Sequence, residues 1–74
     1  MLEKKIRQYK AMDIHREMVR SGKFGAARLL LELLRTGKVY LGLDDDSWIV
    51  ESTCRKLGCY IYYDRCGYSA TAHL

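Results

Sequence analysis

Three cysteines and one histidine in the second half of the chain carry the side chains best suited to metal binding. They form the pattern C-x4-C-x6-C-x6-H, with the candidate ligands Cys54, Cys59, Cys66 and His73. Thiolate and imidazole groups are ligands of tetrahedral zinc, but the pattern lacks the short C-x2-C spacing that usually brings two thiolates to one ion. Because Cys54 also falls on the apolar face of a predicted helix, the pattern favours small free thiols, and we expect no metal and no other cofactor.

A nucleophilic cysteine is the second chemistry that the residue types allow. Cys66 follows Arg65, whose charge would favour the thiolate, and His15 or His73 could serve as the base. Nothing in the sequence orients these groups toward one another. The chain also lacks a glycine-rich phosphate loop, a nucleophile elbow and an HExxH motif. The sequence therefore predicts no catalytic residue and a protein that is not an enzyme.

A run of three aspartates occupies positions 44–46. Clustered carboxylates can bind a divalent metal, with Glu51 as a further ligand, but adjacent aspartates on one helical turn point in different directions. The start of a helix accounts for the same run. Asp44 would be the N-cap residue, the next two aspartates would meet the positive end of the helix dipole, and Leu43 and Trp48 would have the spacing of a hydrophobic staple.

Aromatic and arginine side chains are the candidate binding residues. Two-residue alternation in the predicted strands turns Tyr40, Tyr60 and Tyr62 away from the core. Tyrosine, tryptophan and arginine most often anchor protein interfaces, and the candidate protein-binding residues are Tyr40, Trp48, Arg55, Tyr60, Tyr62 and Arg65. They predict a protein that binds a larger protein or complex stoichiometrically, as an inhibitor or adaptor of the kind that phages and mobile elements encode.

Positive charge is concentrated in the first half of the chain, which indicates an alternative, anionic partner. Residues 1–38 contain ten Lys or Arg and four acidic residues, whereas residues 39–74 contain three and five. Such asymmetry is typical of nucleic-acid binding, although a solvated helix face produces it as well. The candidate nucleic-acid-binding residues are Lys4, Lys5, Arg7, Lys10, Arg16, Arg20 and Lys23.

Nucleic acid could be bound in two ways. Single strands would stack on the tyrosine-rich sheet face beside the basic half of the chain. Winged-helix binding of duplex DNA fits the terminal hairpin and the helix before it, but the two consecutive helices that should precede that hairpin are missing. The helix that would enter the major groove also begins with three aspartates, and only Ser52, Arg55 and Lys56 could contact bases. The sequence favours a protein partner over nucleic acid, and single strands over duplex.

Apolar spacing predicts three helices that would position these residues. The first spans residues 2–20 and has two apolar faces, so it either kinks near Met12 or packs on two neighbours. The second spans residues 23–36 and is apolar around most of its circumference, with Gly37 as its end. Such a helix is typical of a protein core or of a homodimer interface. The third begins at the aspartate run and ends at Gly58.

Short strands complete the predicted fold. Residues 39–41 form one strand, and residues 59–64 and 68–74 form a hairpin whose turn contains Gly67. Alternation places these hairpin side chains toward the core: Ile61, Tyr63, Tyr68, Ala70, Ala72 and Leu74. The order α-α-β-α-β-β predicts one α+β domain over residues 1–74, with helices packed on a small antiparallel sheet.

Length and composition limit the class of protein. A chain of 74 residues with 49% hydrophobic and 30% charged residues has room for one core. No apolar segment resembles a signal peptide, and the apolar stretch at residues 26–34 is interrupted by Arg28 and Glu32, far short of the roughly 20 residues of a membrane span. An odd number of cysteines without a secretion signal favours reduced thiols, so we expect a cytoplasmic protein without a membrane partner.

Overall fold

Three helices and three strands follow one another in the predicted α-α-β-α-β-β order. The computed structural model describes the backbone of residues 2–74 and the side chains from residue 4 onward. Its elements are α1 (Leu2–Arg20), α2 (Phe24–Thr36), β1 (Lys38–Leu41), α3 (Asp45–Leu57), β2 (Tyr60–Tyr63) and β3 (Ala70–His73). The α+β fold is confirmed, and both hairpin strands are shorter than the sequence pattern predicts.

The strands form one antiparallel sheet in the order β1-β3-β2. Ala72, in the central strand, lies between Val39 of β1 and Ile61 of β2, and Ala70 lies between Leu41 and Tyr63. Both alanines are buried. Their small side chains let α2 and α3 pack closely on this face of the sheet, while α1 lies on α2 and α3. The helices therefore form one layer, the sheet forms the other, and the second face of the sheet is open.

The core lies between these two layers and draws on every element, with β2 contributing the partly buried Ile61. Its buried residues are Ala11, Met18, Ala26, Ala27, Leu30, Leu33, Val39, Leu41, Val50, Cys54, Ala72 and Leu74. The two apolar faces predicted for α1 have different environments. Ala11 and Met18 are buried, whereas Tyr9 and Met12 on the other face are exposed. Because α1 runs unbroken and contacts both α2 and α3, it packs on two neighbours.

The aspartate run starts α3 as predicted. Asp44 is the N-cap residue, and its carboxylate accepts hydrogen bonds from the backbone N–H of Ser47 at 3.2 Å and from the Ser47 hydroxyl at 2.7 Å. These two bonds lower the pKa of Asp44. Asp46 lies against Gly25 in the first turn of α2, where a Cβ atom would be 1.9 Å from the Asp46 Oδ2. The aspartate run therefore places negative charge at the N-termini of both α2 and α3, where it interacts favourably with the helix dipoles.

Two expectations about buried aromatic residues need correction. Tyr68, predicted to face the core, is exposed because residues 64–69 form a loop and not a strand. The Asp64 carboxylate accepts hydrogen bonds from the backbone N–H of Tyr68 at 3.0 Å and from the Ser69 hydroxyl at 3.0 Å, which bends the chain there. Tyr63 has the predicted register but stays half exposed, because β2 is an edge strand.

Candidate functional site

The open face of the sheet carries a group of aromatic side chains that the core does not use. Strand alternation turns six side chains to this face, which we call the tyrosine face: Lys38, Tyr40, Tyr60, Tyr62, Thr71 and His73. The register arranges them in two rows across the strands. Tyr40 and Tyr62 flank Thr71 in one row. In the other row, Lys38 and Tyr60 flank His73.

The three tyrosines of this face are free to contact a ligand. Tyr40, Tyr60 and Tyr62 are 63%, 64% and 61% exposed, so most of each side chain is available for contact. The rings of Tyr62 and His73 meet edge to face, with centroids 5.3 Å apart and planes at 83°. This contact places the Tyr62 ring against the neighbouring His73 on the same face.

The tyrosine face has one charged side chain of its own, and the Glu32 carboxylate of α2 lies beside it in a cavity lined also by Tyr40. Lys38 is the charged residue among its six outward positions, and no carboxylate is among them. At the end of the sheet nearest the Lys38 row, the Arg7 Nε donates a hydrogen bond to the backbone carbonyl of Leu74 at 2.9 Å. This bond attaches Arg7 of α1 to the residue that follows β3, so one cationic side chain of the helical layer lies at the end of the sheet.

The platform is small. Three strands of four residues span roughly 10 Å across the strands and roughly 10 Å along them, from the usual strand spacing and rise. A protein partner typically covers about 800 Å² on each side of an interface. The platform is therefore much smaller than one side of a typical protein interface.

The remaining predicted protein-binding residues lie elsewhere. Trp48, in the first turn of α3, lines a shallow cavity between α1 and α3 together with Ile14 and Met18. Arg55 lies over the ring of Tyr63, 5.9 Å from its centroid, and donates a hydrogen bond to the Tyr63 hydroxyl. Arg65 is exposed in the hairpin loop. The structure thus brings together Tyr40, Tyr60 and Tyr62 and separates the other candidates from them.

The basic candidates all belong to α1 or the turn after it. Lys4, Lys5, Lys10 and Lys23 are exposed. Two of the arginines lie near carboxylates of the same helix: Arg16 is 3.8 Å from Asp13, and Arg20 is 3.1 Å from Glu17. Arg7 is half buried at the end of β3. Arg7 therefore places one positive charge at the end of the sheet, and the end of α1 carries positive charge that is partly compensated.

The cysteines and His73 are spread over the second half of the fold. Cys54 is buried in α3, Cys59 is half buried before β2, and Cys66 is exposed in the hairpin loop. His73 lies on the tyrosine face. Within the described residues, no three His, Cys, Asp or Glu side chains are grouped so that they could hold a metal ion.

A groove between α1 and α2 is a feature that the sequence analysis did not single out. It has a volume of about 370 Å³ and is lined by Lys5, Gln8, Tyr9, Met12, Leu31, Leu34 and Arg35. Its floor is apolar, and Lys5 and Arg35 lie among its lining residues. The signal was present in the sequence as the second apolar face of α1 and the surplus leucines of α2.

Comparisons with known proteins provide no relative whose function could be compared with these surfaces. No family model, curated protein or solved structure matched the chain. In the part of the chain that the structure describes, no helix is both long enough and apolar enough to span a membrane.

Proposed function

We propose that this protein binds single-stranded nucleic acid on the tyrosine face and acts by binding, without catalysing a reaction. The observation that carries the proposal is the set of three exposed tyrosines on a sheet face without carboxylates. A base has two flat faces and stacks on an aromatic side chain whatever its identity. The tyrosine face therefore supports binding with little sequence preference.

Stacking on tyrosine is strong enough to make this surface functional. Each base stacked on an aromatic side chain contributes about 1–3 kcal/mol, as measured by alanine substitution. Two or three such contacts fit within the platform, with Tyr40 and Tyr62 in one row and Tyr60 in the next. Lys38, on the same face, would meet a phosphate between stacked bases.

Charge supports the same partner. The chain has a formal net charge of +4, with Lys38 on the tyrosine face and Arg7 at the end of the sheet. A phosphate backbone running from Lys38 toward α1 would release counterions, so affinity should fall as salt rises. Duplex DNA is a poorer match, because the start of α3 carries Asp44 and Asp45 at its surface and would face the phosphates.

The test measures the binding of labelled oligothymidine and of a matching duplex by fluorescence anisotropy, at about 50 and 200 mM salt. We expect the single strand to bind more tightly and its affinity to fall with salt. Tyr40→Ala and Tyr62→Ala should each weaken binding roughly 5-fold to 100-fold, since about 1.4 kcal/mol corresponds to tenfold. Tyr→Phe at the same positions should preserve most of the affinity, because the ring remains.

Matched controls are available elsewhere on the surface. Tyr9 and Tyr68 are as exposed as the three tyrosines of the platform but lie outside it. Tyr9→Ala and Tyr68→Ala should leave the affinity unchanged. The proposal is wrong if the single strand does not bind at the lower salt concentration, or if the control variants weaken binding as much as Tyr40→Ala and Tyr62→Ala do.

A protein partner is the second candidate, and the groove between α1 and α2 favours it. An apolar floor with Lys5 and Arg35 among the lining residues fits an amphipathic helix that carries acidic residues beside its apolar stripe. A second copy of this chain would bring the same positive charges to the groove, so an acidic helix is the better match. In this role the protein would act as an inhibitor or adaptor of a larger protein.

The two candidates are separated by variants on different faces. A peptide with leucines at helical spacing and glutamates beside them should bind the protein, and Leu31→Glu should abolish that binding while Tyr60→Ala with Tyr62→Ala leaves it intact. A peptide with lysines in place of the glutamates is the control and should not bind. Equal binding of both peptides would contradict the charge argument. Loss of peptide binding in the folded tyrosine double variant would instead place the protein partner on the sheet.

A further inference from the structure

The end of α3 places two cysteines against each other. Gly58 ends the helix in the left-handed conformation, with φ 81°. Its N–H donates a hydrogen bond to the carbonyl of Arg55 at 3.2 Å, and the N–H of Cys59 donates one to the carbonyl of Cys54 at 2.9 Å. This pair of bonds defines a Schellman motif, in which the side chains at the two outer positions come into contact. Here those positions are Cys54 and Cys59.

The two thiols differ in accessibility and in acidity. Cys54 is fully buried, and its contact with Cys59, together with burial, raises the pKa of its thiol. Cys59 is half buried at the edge of the core, and the Cys54 thiol and the Arg7 guanidinium lower the pKa of Cys59 to about 7 against the opposing effect of burial. Arg7 is held in place by its hydrogen bond to the Leu74 carbonyl at 2.9 Å. A partly accessible thiol with a lowered pKa therefore lies next to a buried thiol.

We propose that Cys54 and Cys59 form a reversible redox site, in which Cys59 is the attacking sulfur and Cys54 the resolving one. The co-reactant is a small disulfide such as oxidised glutathione. The Cys59 thiolate attacks one sulfur of that disulfide, forms a mixed disulfide and expels one thiolate, which takes up a proton. The Cys54 sulfur then attacks the Cys59 sulfur and breaks the mixed disulfide, and the departing small thiolate takes up the proton that Cys54 gives up. One disulfide is formed in the protein, and two small thiols are released.

Position supports this pair over any pair that includes Cys66. Cys59 precedes β2 at the open end of the hairpin, and Cys66 lies in the loop at the closed end, so the length of β2 separates them. Cys66 is exposed and serves as an internal reference for an ordinary surface thiol. The disulfide would join the last turn of α3 to the start of β2, next to Tyr60 of the tyrosine face. The redox site stands on its own geometry and does not depend on the proposed nucleic-acid binding.

The experiment uses the full chain with Cys66→Ser, incubated with oxidised glutathione and analysed by mass spectrometry of the intact protein and its peptides. We expect the loss of two hydrogen atoms, one peptide-mapped disulfide between Cys54 and Cys59, and full reversal by dithiothreitol. Cys54→Ser should stop the reaction at a glutathione adduct on Cys59, and Cys59→Ser should prevent reaction at Cys54. In the Cys66→Ser protein, which retains the Cys54 thiol, Cys59 should also be alkylated faster than Cys66 is in the variant lacking both other cysteines.

Other outcomes overturn the inference. A Cys66→Ser protein that ends as a stable glutathione adduct, remains fully reduced, or forms only dimers linked between chains has no resolving cysteine at this site. Because Cys54 is buried, Cys54→Ser could unfold the protein, so Cys54→Ala is prepared alongside it and both are checked by circular dichroism. The disulfide mapping in the Cys66→Ser protein decides the question even if both of those variants unfold.

Discussion

Two neighbouring leucines of α2 provide a sharp test of how the helices pack. Leu30→Ala and Leu31→Ala remove the same atoms from the same helix and change helix propensity equally. Leu30 is 0% exposed and Leu31 is 40% exposed. Replacing a fully buried leucine removes its transfer free energy and leaves a cavity, which together cost about 3–5 kcal/mol. At Leu31 only part of the transfer free energy is lost and the space opens to solvent, so we expect a cost of about 1 kcal/mol.

These costs are large compared with the whole stability of a domain of this size, which is about 4–11 kcal/mol at the usual value per residue. We expect Leu30→Ala to lower the melting temperature by roughly 12–40 °C and Leu31→Ala by roughly 4–8 °C. Urea unfolding monitored by far-UV circular dichroism measures the free energy of unfolding of both variants. If the dependence of that free energy on urea concentration is the same in both, the two values can be compared directly. Equal costs for the two variants would refute the burial that the structure assigns.

The same pair tests the homodimer predicted from the apolar character of α2. If a second copy covers Leu31, the stability of the protein rises with protein concentration and the cost of Leu31→Ala rises with it. We expect no such dependence, because Lys5 and Arg35 of two copies would face each other around the groove. Measuring the two variants at low and at high protein concentration separates these cases.

Two further predictions concern the start of α3. The buried Ser47 hydroxyl accepts a hydrogen bond from the Gly42 N–H at 3.0 Å and donates one to Asp44, so Ser47→Ala should destabilise the protein by about 1–3 kcal/mol in urea unfolding. Ser52→Ala, on the exposed side of the same helix, is the control and should have little effect. The hydrogen bonds from Ser47 lower the pKa of Asp44, so its contribution to stability is present above its unfolded value of 3.8 and is lost as the pH falls through the lower folded value. Asp44→Asn should therefore reduce the dependence of the melting temperature on pH in that acidic range, and an unchanged dependence would show that other carboxylates control acid unfolding.

The sequence contains enough local information to predict the ends of the helices. Asp44, Gly37 and Gly58 act through bonds within a few residues, so their roles follow from residue type and spacing alone. The outward direction of Tyr40, Tyr60 and Tyr62 was likewise predictable, because pleating fixes it within a strand. The exposure of Tyr68 was not predictable in this way. The hydrogen bonds to Asp64 hold Tyr68 in the loop, and β3 begins only at Ala70.

The contacts between helices and strands could not be predicted from the sequence pattern. Leu30 and Leu31 are equally apolar, and only the placement of α1 and the sheet decides which of them is buried. The sequence pattern also could not predict which of the candidate binding residues lie together in the fold. Residue type selected Trp48 and Arg55 together with the tyrosines, but the fold puts Trp48 beside α1 and Arg55 over Tyr63.

The strand order has a consequence for how this chain folds. β1 and β2 both pair with β3 and not with each other, and β3 is the last of the three strands along the sequence. The helices can form from local contacts, but the pairing of Leu41 with Ala70 must first close a loop that contains all of α3 and β2. Such non-local closure is slow compared with helix formation. We therefore expect a nascent or truncated chain without residues 70–73 to expose two unpaired strands, including the tyrosine-rich β2, and to aggregate until the central strand joins them.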